Sequence, residues 1–222
     1  MLTGSVTGNV MANVAGNVDG GWVLWFTGLP GSGKSTIARA VHSELVDQGR
    51  DVALLVMDER RRSYFPKPAY TEEERKVAYE MIAHEAAELA GQGQGVILDA
   101  TGHRLAVRQE ARALIPRFAE VYVNCPLAEA MRREAVRSSL LGGGAHPRGY
   151  AATPGMYQRA LMRRRTGQDM PGLGEVVGVD VPFEEDPQAE CVLDALLPVP
   201  ENTARVLTFL DGWLPGFPGG AA

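Results

Sequence analysis

The stretch Gly28-Leu-Pro-Gly-Ser-Gly-Lys-Ser35 decides the fold of this chain. It fits the pattern G-x-x-x-x-G-K-[ST], in which glycines let backbone N–H groups close around phosphate oxygens. The apolar run Trp22–Phe26 precedes it, and a segment with apolar residues on one helical face follows it. Strand, glycine loop and helix in this order are the context of a phosphate-binding P loop. The alternative is a glycine-rich turn with an incidental lysine.

Each part of this loop has a predicted role. Lys34 is expected to reach the β- and γ-phosphates of a nucleotide and to be catalytic, and the Ser35 hydroxyl suits Mg²⁺ held between those phosphates. The residues predicted to bind the nucleotide are Gly28, Leu29, Pro30, Gly31, Ser32, Gly33, Lys34, Ser35 and Thr36.

Composition narrows the class of protein. The 222 residues are 45% hydrophobic, which is enough for one domain with a sizeable core. A net charge of −5 gives no overall attraction to nucleic acid. Two cysteines in apolar segments suit reduced thiols, and neither a membrane span nor a secretion signal is present, so we expect a cytoplasmic protein.

The ends of the chain differ from its middle. Residues 1–20 are small and almost uncharged, so we expect a flexible arm, with an added strand or an oligomer contact as the alternative. Residues 21–214 are predicted to form a single domain, and 215–222 a disordered tail. A homodimer stays open as an alternative to a monomer.

Two further strands end on acids. The apolar runs 51–57 and 96–98 are followed by Asp58 and Asp99. Because ligands bind at the carboxyl edge of parallel strands, both acids are expected to face the phosphates. We predict that Asp58 accepts the proton of an acceptor hydroxyl and that Asp99 supports Mg²⁺. Which of the two is the base stays open, and Asp58 as a helix cap is the alternative.

The remaining pattern completes an α/β fold. Strands are predicted at 121–123 and 191–193, with helices between and after them. Five strands alternating with helices predict a three-layer α/β/α fold with a five-stranded parallel sheet. Arginines 60–62 suggest a basic loop. Residues 142–178 begin with glycines and contain several arginines, so we predict a mobile lid, with a plain surface insertion as the alternative.

Several stretches resemble adenylylsulfate kinases. The first is Trp25-Phe-Thr-Gly-Leu-Pro-Gly-Ser-Gly-Lys-Ser-Thr-Ile-Ala38, which many nucleotide enzymes share. Gly155-Met-Tyr-Gln-Arg-Ala160 is similar to that family's Gly-Leu-Tyr-Lys-Lys-Ala, and Gly178-Val-Asp-Val-Pro-Phe-Glu184 to its Gly-Ile-Asp-x-Pro-Tyr-Glu. Arg133-Glu134 resembles its Arg-Asp pair. The likeness runs over roughly residues 22–195.

The resemblance implies a P-loop kinase that uses ATP and Mg²⁺ to phosphorylate the 3′-hydroxyl of adenylylsulfate. It implies a catalytic role for Arg133 beside Lys34 and Asp58. The residues it places at a substrate site are Arg61, Tyr70, Arg75, Arg108 and Arg159.

The departures from the family concern the acceptor. The family's Leu-Asp-Gly-Asp-Asn-x-Arg is Leu55-Val-Met-Asp-Glu-Arg-Arg61 here, its Asn-Ile-Arg-Arg is Ala78-Tyr-Glu-Met81, and its Ile-Ser-Pro is Thr101-Gly-His103. We therefore predict a kinase acting on a small-molecule hydroxyl, with adenylylsulfate as the first candidate. The alternatives are another nucleotide-linked or small alcohol, and a nucleotide-dependent regulator without an acceptor.

Overall fold

The computed structural model describes residues 20–66, 71–140 and 155–214. Apart from Gly20, the predicted N-terminal arm lies outside these ranges, and so do the tail 215–222 and the first part of the predicted lid, 142–154. Tyr70, which was predicted to bind substrate, also lies outside them.

Five strands and seven helices alternate along the described residues. The strands are β1 (Trp22–Thr27), β2 (Val52–Val56), β3 (Gly95–Asp99), β4 (Phe118–Asn124) and β5 (Cys191–Asp194). The helices are α1 (Lys34–Asp47), α2 (Met57–Tyr64), α3 (Glu72–Gly91), α4 (Leu105–Leu114), α5 (Leu127–Leu140), α6 (Met156–Thr166) and α7 (Val199–Trp213). The strands are all parallel in the order β2-β3-β1-β4-β5, which confirms the predicted five-stranded α/β sheet.

Helices cover both faces of the sheet, and β1 lies at its centre. Leu24 and Phe26 pack on one side with α1 and α7, whereas Val23 and Trp25 pack on the other with α3 and α4. This alternation follows from the two-residue period of a strand, and it explains why the whole of β1 is apolar apart from Thr27. None of the helices within the described ranges is long and apolar enough to cross a membrane.

Two local predictions were wrong. The basic segment 60–62 is part of helix α2 and not a loop, because Asp58 and Glu59 lie in its first turn and arginines in its last, which complements the helix dipole. The apolar spacing of Ala78, Met81, Ile82, Ala86 and Leu89 predicts that Met81 faces inward in α3, but Met81 is 40% exposed, whereas Tyr79 is buried. The rest of the buried face follows the predicted pattern through Ala78, Ile82 and Ala86.

The described part of the predicted lid has its own small core. Tyr157, Leu173, Val176 and Val179 pack together there. Arg163 donates to the carbonyls of residues 173 and 174 and to the carboxylate of Asp180. These contacts hold the Arg163 guanidinium against the backbone of the lid and Asp180. The motion of the lid stays a prediction.

Candidate active site

A cleft of about 640 Å³ opens at the carboxyl edge of the sheet. We call one side of it the P-loop half, formed by residues 30–37, Arg133, Arg137, Ala195 and residues 197–199. We call the other side the distal half, formed by residues 56–58, Arg61, Arg75, Tyr79, Thr101, His103 and residues 172–177. Asp99 lines the cleft between them.

The P loop lies close against the elements behind it. Gly28, Gly31 and Gly33 all have positive φ, which glycine adopts without strain. A Cβ on Gly31 would come within 2.5 Å of the carbonyl oxygen of Ala130 in α5. Among the described residues, the N–H groups of Gly31 and Gly33 have no acceptor. The loop therefore has backbone donors free for phosphate oxygens, as its sequence predicted.

Asp99 is a buried acid at the end of β3. It is 3% exposed, and neither carboxylate oxygen has a hydrogen-bond partner within the described ranges. Burial raises the pKa of Asp99, whereas the nearby Lys34 ammonium and Ser35 hydroxyl act in the opposite direction. A buried carboxylate beside a serine hydroxyl is a suitable partner for a hard cation.

These residues fit Mg²⁺ of the kind that accompanies a nucleotide. The described residues contain no group of three or more His, Cys, Asp or Glu able to hold a metal ion. Mg²⁺ in kinase sites is usually held by one or two carboxylates together with water and the substrate phosphates. Ser35 and Asp99 are the residues that would hold it here.

The distal half brings together three residues that the sequence singled out. Asp58 lies exposed in the first turn of α2. Arg61 is buried, with a guanidinium nitrogen 3.8 Å from a carboxylate oxygen of Glu74. Arg75 donates to the carbonyl oxygen of Glu175 at 2.8 Å. An acid and two arginines therefore face the same cleft as the P loop.

Sequence reasoning missed two residues of the distal half. The Tyr79 hydroxyl accepts a hydrogen bond from the N–H of Gly102 at 3.0 Å. His103 is 8% exposed, and burial, followed by the charge of Arg75, lowers its pKa to about 4. Its imidazole is therefore neutral at ordinary pH. Its position in the sequence could have indicated this, because His103 follows the end of β3 by four residues and ligands bind at that edge of a parallel sheet.

Two predicted substrate residues do not line the cleft. Arg108 is 1% exposed, and its guanidinium donates to Glu120 and to the carbonyl oxygens of Gly102 and Glu184. It supports the loop that carries His103. Arg159 donates to a backbone carbonyl of the lid, that of Pro171.

Three of the four replaced residues of α3 lie outside the cleft, namely Ala78, Glu80 and Met81. Ala78 is buried in the core, and Glu80 is exposed with its carboxylate 3.8 Å from the ammonium of Lys76. Of the stretch 78–81, only Tyr79 lines the cleft. The carboxylate of Glu80 is therefore not part of the acceptor side, which corrects one reason for expecting an altered acceptor.

Arg133, predicted to be catalytic, lies at the edge of the P-loop half. Its guanidinium donates to the backbone carbonyls of Ser32 at 3.0 Å and Ala195 at 2.8 Å, and to the Glu129 carboxylate at 2.6 Å. Its side chain is thus fixed against the P-loop backbone.

The chain is similar to known adenylylsulfate kinases. The family model for adenylylsulphate kinase matches residues 20–137, more than half of the chain. The probable adenylyl-sulfate kinase of Archaeoglobus fulgidus is 31% identical over 172 residues, covering 78% of this chain and 94% of that protein. The adenylyl-sulfate kinase of Paraburkholderia xenovorans is 32% identical over 192 residues, covering 86% and 93%.

A solved structure shares the fold. The Mycobacterium tuberculosis APS kinase CysC in complex with AMPPNP and APS superposes with a TM-score of 0.67 at 24% identity, covering 86% of this chain and 98% of that one. The sequence matches, together with the P loop and the parallel sheet, identify the family. The chain belongs to the adenylylsulfate kinase family of ATP-dependent phosphotransferases.

Proposed function

We propose that the protein transfers the γ-phosphoryl group of ATP to the hydroxyl of a small molecule, with the 3′-hydroxyl of adenylylsulfate as the first candidate. The observation that carries this proposal is the lining of a single cleft by Lys34, Asp58 and Asp99. A phosphate-binding lysine and a separate acid on the far side are what transfer to an alcohol requires. The membership of the family supports the same reaction.

The residues of the chain have distinct roles in this reaction. Lys34 neutralises the charge that develops between the β- and γ-phosphates, and backbone N–H groups of the P loop hold the phosphate oxygens. Asp58 orients the acceptor hydroxyl and accepts its proton. Mg²⁺, held by Ser35 and Asp99, supplies further neutralisation of phosphate charge when bound.

Arg61 and Arg75 bring two guanidinium groups to the distal half, where Asp58 and Glu175 also lie. The guanidinium group binds planar anionic groups such as sulfate and phosphate through paired N–H donors. Tyr79 and His103 add an aromatic ring and a neutral imidazole. This half therefore suits a small acceptor with an anionic group.

A second candidate is a different nucleotide-linked or small alcohol. The observation that favours it is the set of cleft residues that depart from the family pattern, Val56, Tyr79 and His103. A regulator without an acceptor is less well supported, because a switch does not need an acid such as Asp58 across from the phosphates.

The test follows the labelled γ-phosphoryl group of ATP in the presence of Mg²⁺ and a panel of alcohols that includes adenylylsulfate. The proposal expects acceptor-dependent transfer of the label to one alcohol, with release of ADP. Label that reaches only water, at a rate no acceptor changes, would contradict it and favour the regulator.

A further inference from the structure

Two side chains from other parts of the chain hold the P loop. The hydroxyl of Tyr157 in α6 donates to the carbonyl oxygen of Pro30 at 2.8 Å, and these residues are 127 positions apart. A guanidinium nitrogen of Arg133 in α5 donates to the carbonyl oxygen of Ser32 at 3.0 Å. The two contacts hold the Pro30–Gly31 and Ser32–Gly33 peptide groups of the loop.

The orientation of those peptides decides where their N–H groups point. All peptide bonds of the described residues are trans, so the C=O and the N–H of one peptide point in opposite directions. With the Pro30 and Ser32 carbonyls held from outside, the N–H groups of Gly31 and Gly33 point the other way. Neither of those two N–H groups has an acceptor in the described part of the chain. The two hydrogen bonds therefore leave the N–H groups of Gly31 and Gly33 available to phosphate oxygens.

Tyr157 is suited to hold a peptide in place. It is 1% exposed and belongs to the apolar cluster of the lid, so its ring has little freedom. Burial raises the pKa of its hydroxyl, which therefore stays protonated and can donate at any working pH. Glycines at positive φ impose no orientation of their own, because glycine readily adopts both signs of φ. Besides the bond from the Ser32 N–H to the Leu29 carbonyl within the loop, the contacts of Tyr157 and Arg133 can therefore orient these peptides.

We propose that Tyr157 is a positioning residue for the phosphate cradle, and that it fixes the Pro30–Gly31 peptide so that the Gly31 N–H faces the nucleotide. Arg133 does the same for the Ser32–Gly33 peptide. This inference rests on the proposed use of ATP. It also gives the helix of the lid a direct mechanical connection to the nucleotide site.

The test compares Tyr157→Phe, which removes one hydroxyl and keeps the ring, with Tyr122→Phe. Tyr122 is a matched control, since it is 7% exposed and its hydroxyl donates to Glu185 at 3.0 Å outside the cleft. The affinities of ADP and AMP are measured by calorimetry, and thermal unfolding is measured for each variant. We expect Tyr157→Phe to weaken ADP binding about 3- to 10-fold, the worth of one hydrogen bond, and to leave AMP binding unchanged. AMP lacks the β-phosphate that the cradle holds.

A role in general stability would give a different result. It would lower the melting temperature of both tyrosine variants. The binding of ADP and AMP to Tyr157→Phe would then be weakened equally or not at all, and either binding result overturns the positioning role. At saturating ATP, the KM for the acceptor is expected to be unchanged in Tyr157→Phe. If the wild-type protein itself binds no ADP with Mg²⁺, the proposed function fails and the positioning role fails with it. Wild-type binding that Tyr157→Phe leaves intact overturns the positioning role alone.

Discussion

The two halves of the cleft are built in different ways. The P-loop half takes most of its contacts from one contiguous segment, residues 30–37. The distal half draws on α2, α3, the loop after β3 and residues 172–177, so its members come from positions more than a hundred residues apart. A site formed by local backbone geometry is visible in a sequence motif. A site formed by side chains that meet only after folding is not.

The largest effect is expected from a substitution in the P-loop half. Lys34→Ala removes the ammonium group that neutralises phosphate charge in the transition state, and we expect kcat to fall by about 10³-fold. The fold should survive, which circular dichroism would check. Lys76→Ala is the matched control, because that lysine lies exposed on α3, with 66% of its side chain accessible. Near-normal turnover in Lys34→Ala would contradict the assignment of the nucleotide site.

A somewhat smaller effect is expected from a substitution in the distal half. Asp58→Asn keeps the shape of the side chain and removes its basicity, so we expect kcat to fall by about 10²-fold with little change in ATP affinity. Glu59→Gln is the control, since this neighbour on α2 is exposed and its carboxylate lies 3.1 Å from a nitrogen of Arg39. An equal loss of ATP and Mg²⁺ binding in Asp58→Asn would move Asp58 from the acceptor to the metal.

The sequence predicted the two halves unequally. The parallel sheet and the positions of Lys34 and Asp99 followed from strand, loop and motif patterns. Arg108 was predicted to bind substrate, but its buried bonds support the loop before α4. Periodicity alone cannot separate a buried arginine from one that lines a cleft, because both lie on the same helical face.

The smallest of these effects concerns His103 and acid stability. The pKa of His103 in the folded protein is about 4, below the ordinary value of 6.5. Between these two pH values the unfolded chain is protonated at His103 and the folded protein is not. The free energy of unfolding of the wild type should therefore fall as the pH drops below 6.5. Between pH 7 and pH 5, His103→Gln should lose about 1–2 kcal/mol less than the wild type. Denaturant unfolding of both proteins at pH 7 and pH 5 measures the difference.

A matched substitution separates His103 from histidines in general. His84→Gln is the control, because His84 lies exposed on α3 outside the cleft. If the two variants lose stability in parallel with the wild type between pH 7 and pH 5, His103 is not kept neutral by its surroundings, and its place in the distal half needs revision.

The comparison of the two halves leads to one central prediction: the P-loop half acts as that of an ordinary kinase, whereas the cleft residues that depart from the family pattern weaken the use of adenylylsulfate, the first candidate acceptor. Steady-state ADP release with adenylylsulfate, measured against a panel of other alcohols at saturating ATP and Mg²⁺, tests it most directly. We expect a kcat/KM for adenylylsulfate below about 10⁵ M⁻¹s⁻¹, or a better acceptor in the panel, with an ordinary KM for ATP. A kcat/KM above about 10⁵ M⁻¹s⁻¹ that exceeds that of every other alcohol would contradict it, because Val56, Tyr79 and His103 would then have left acceptor recognition intact.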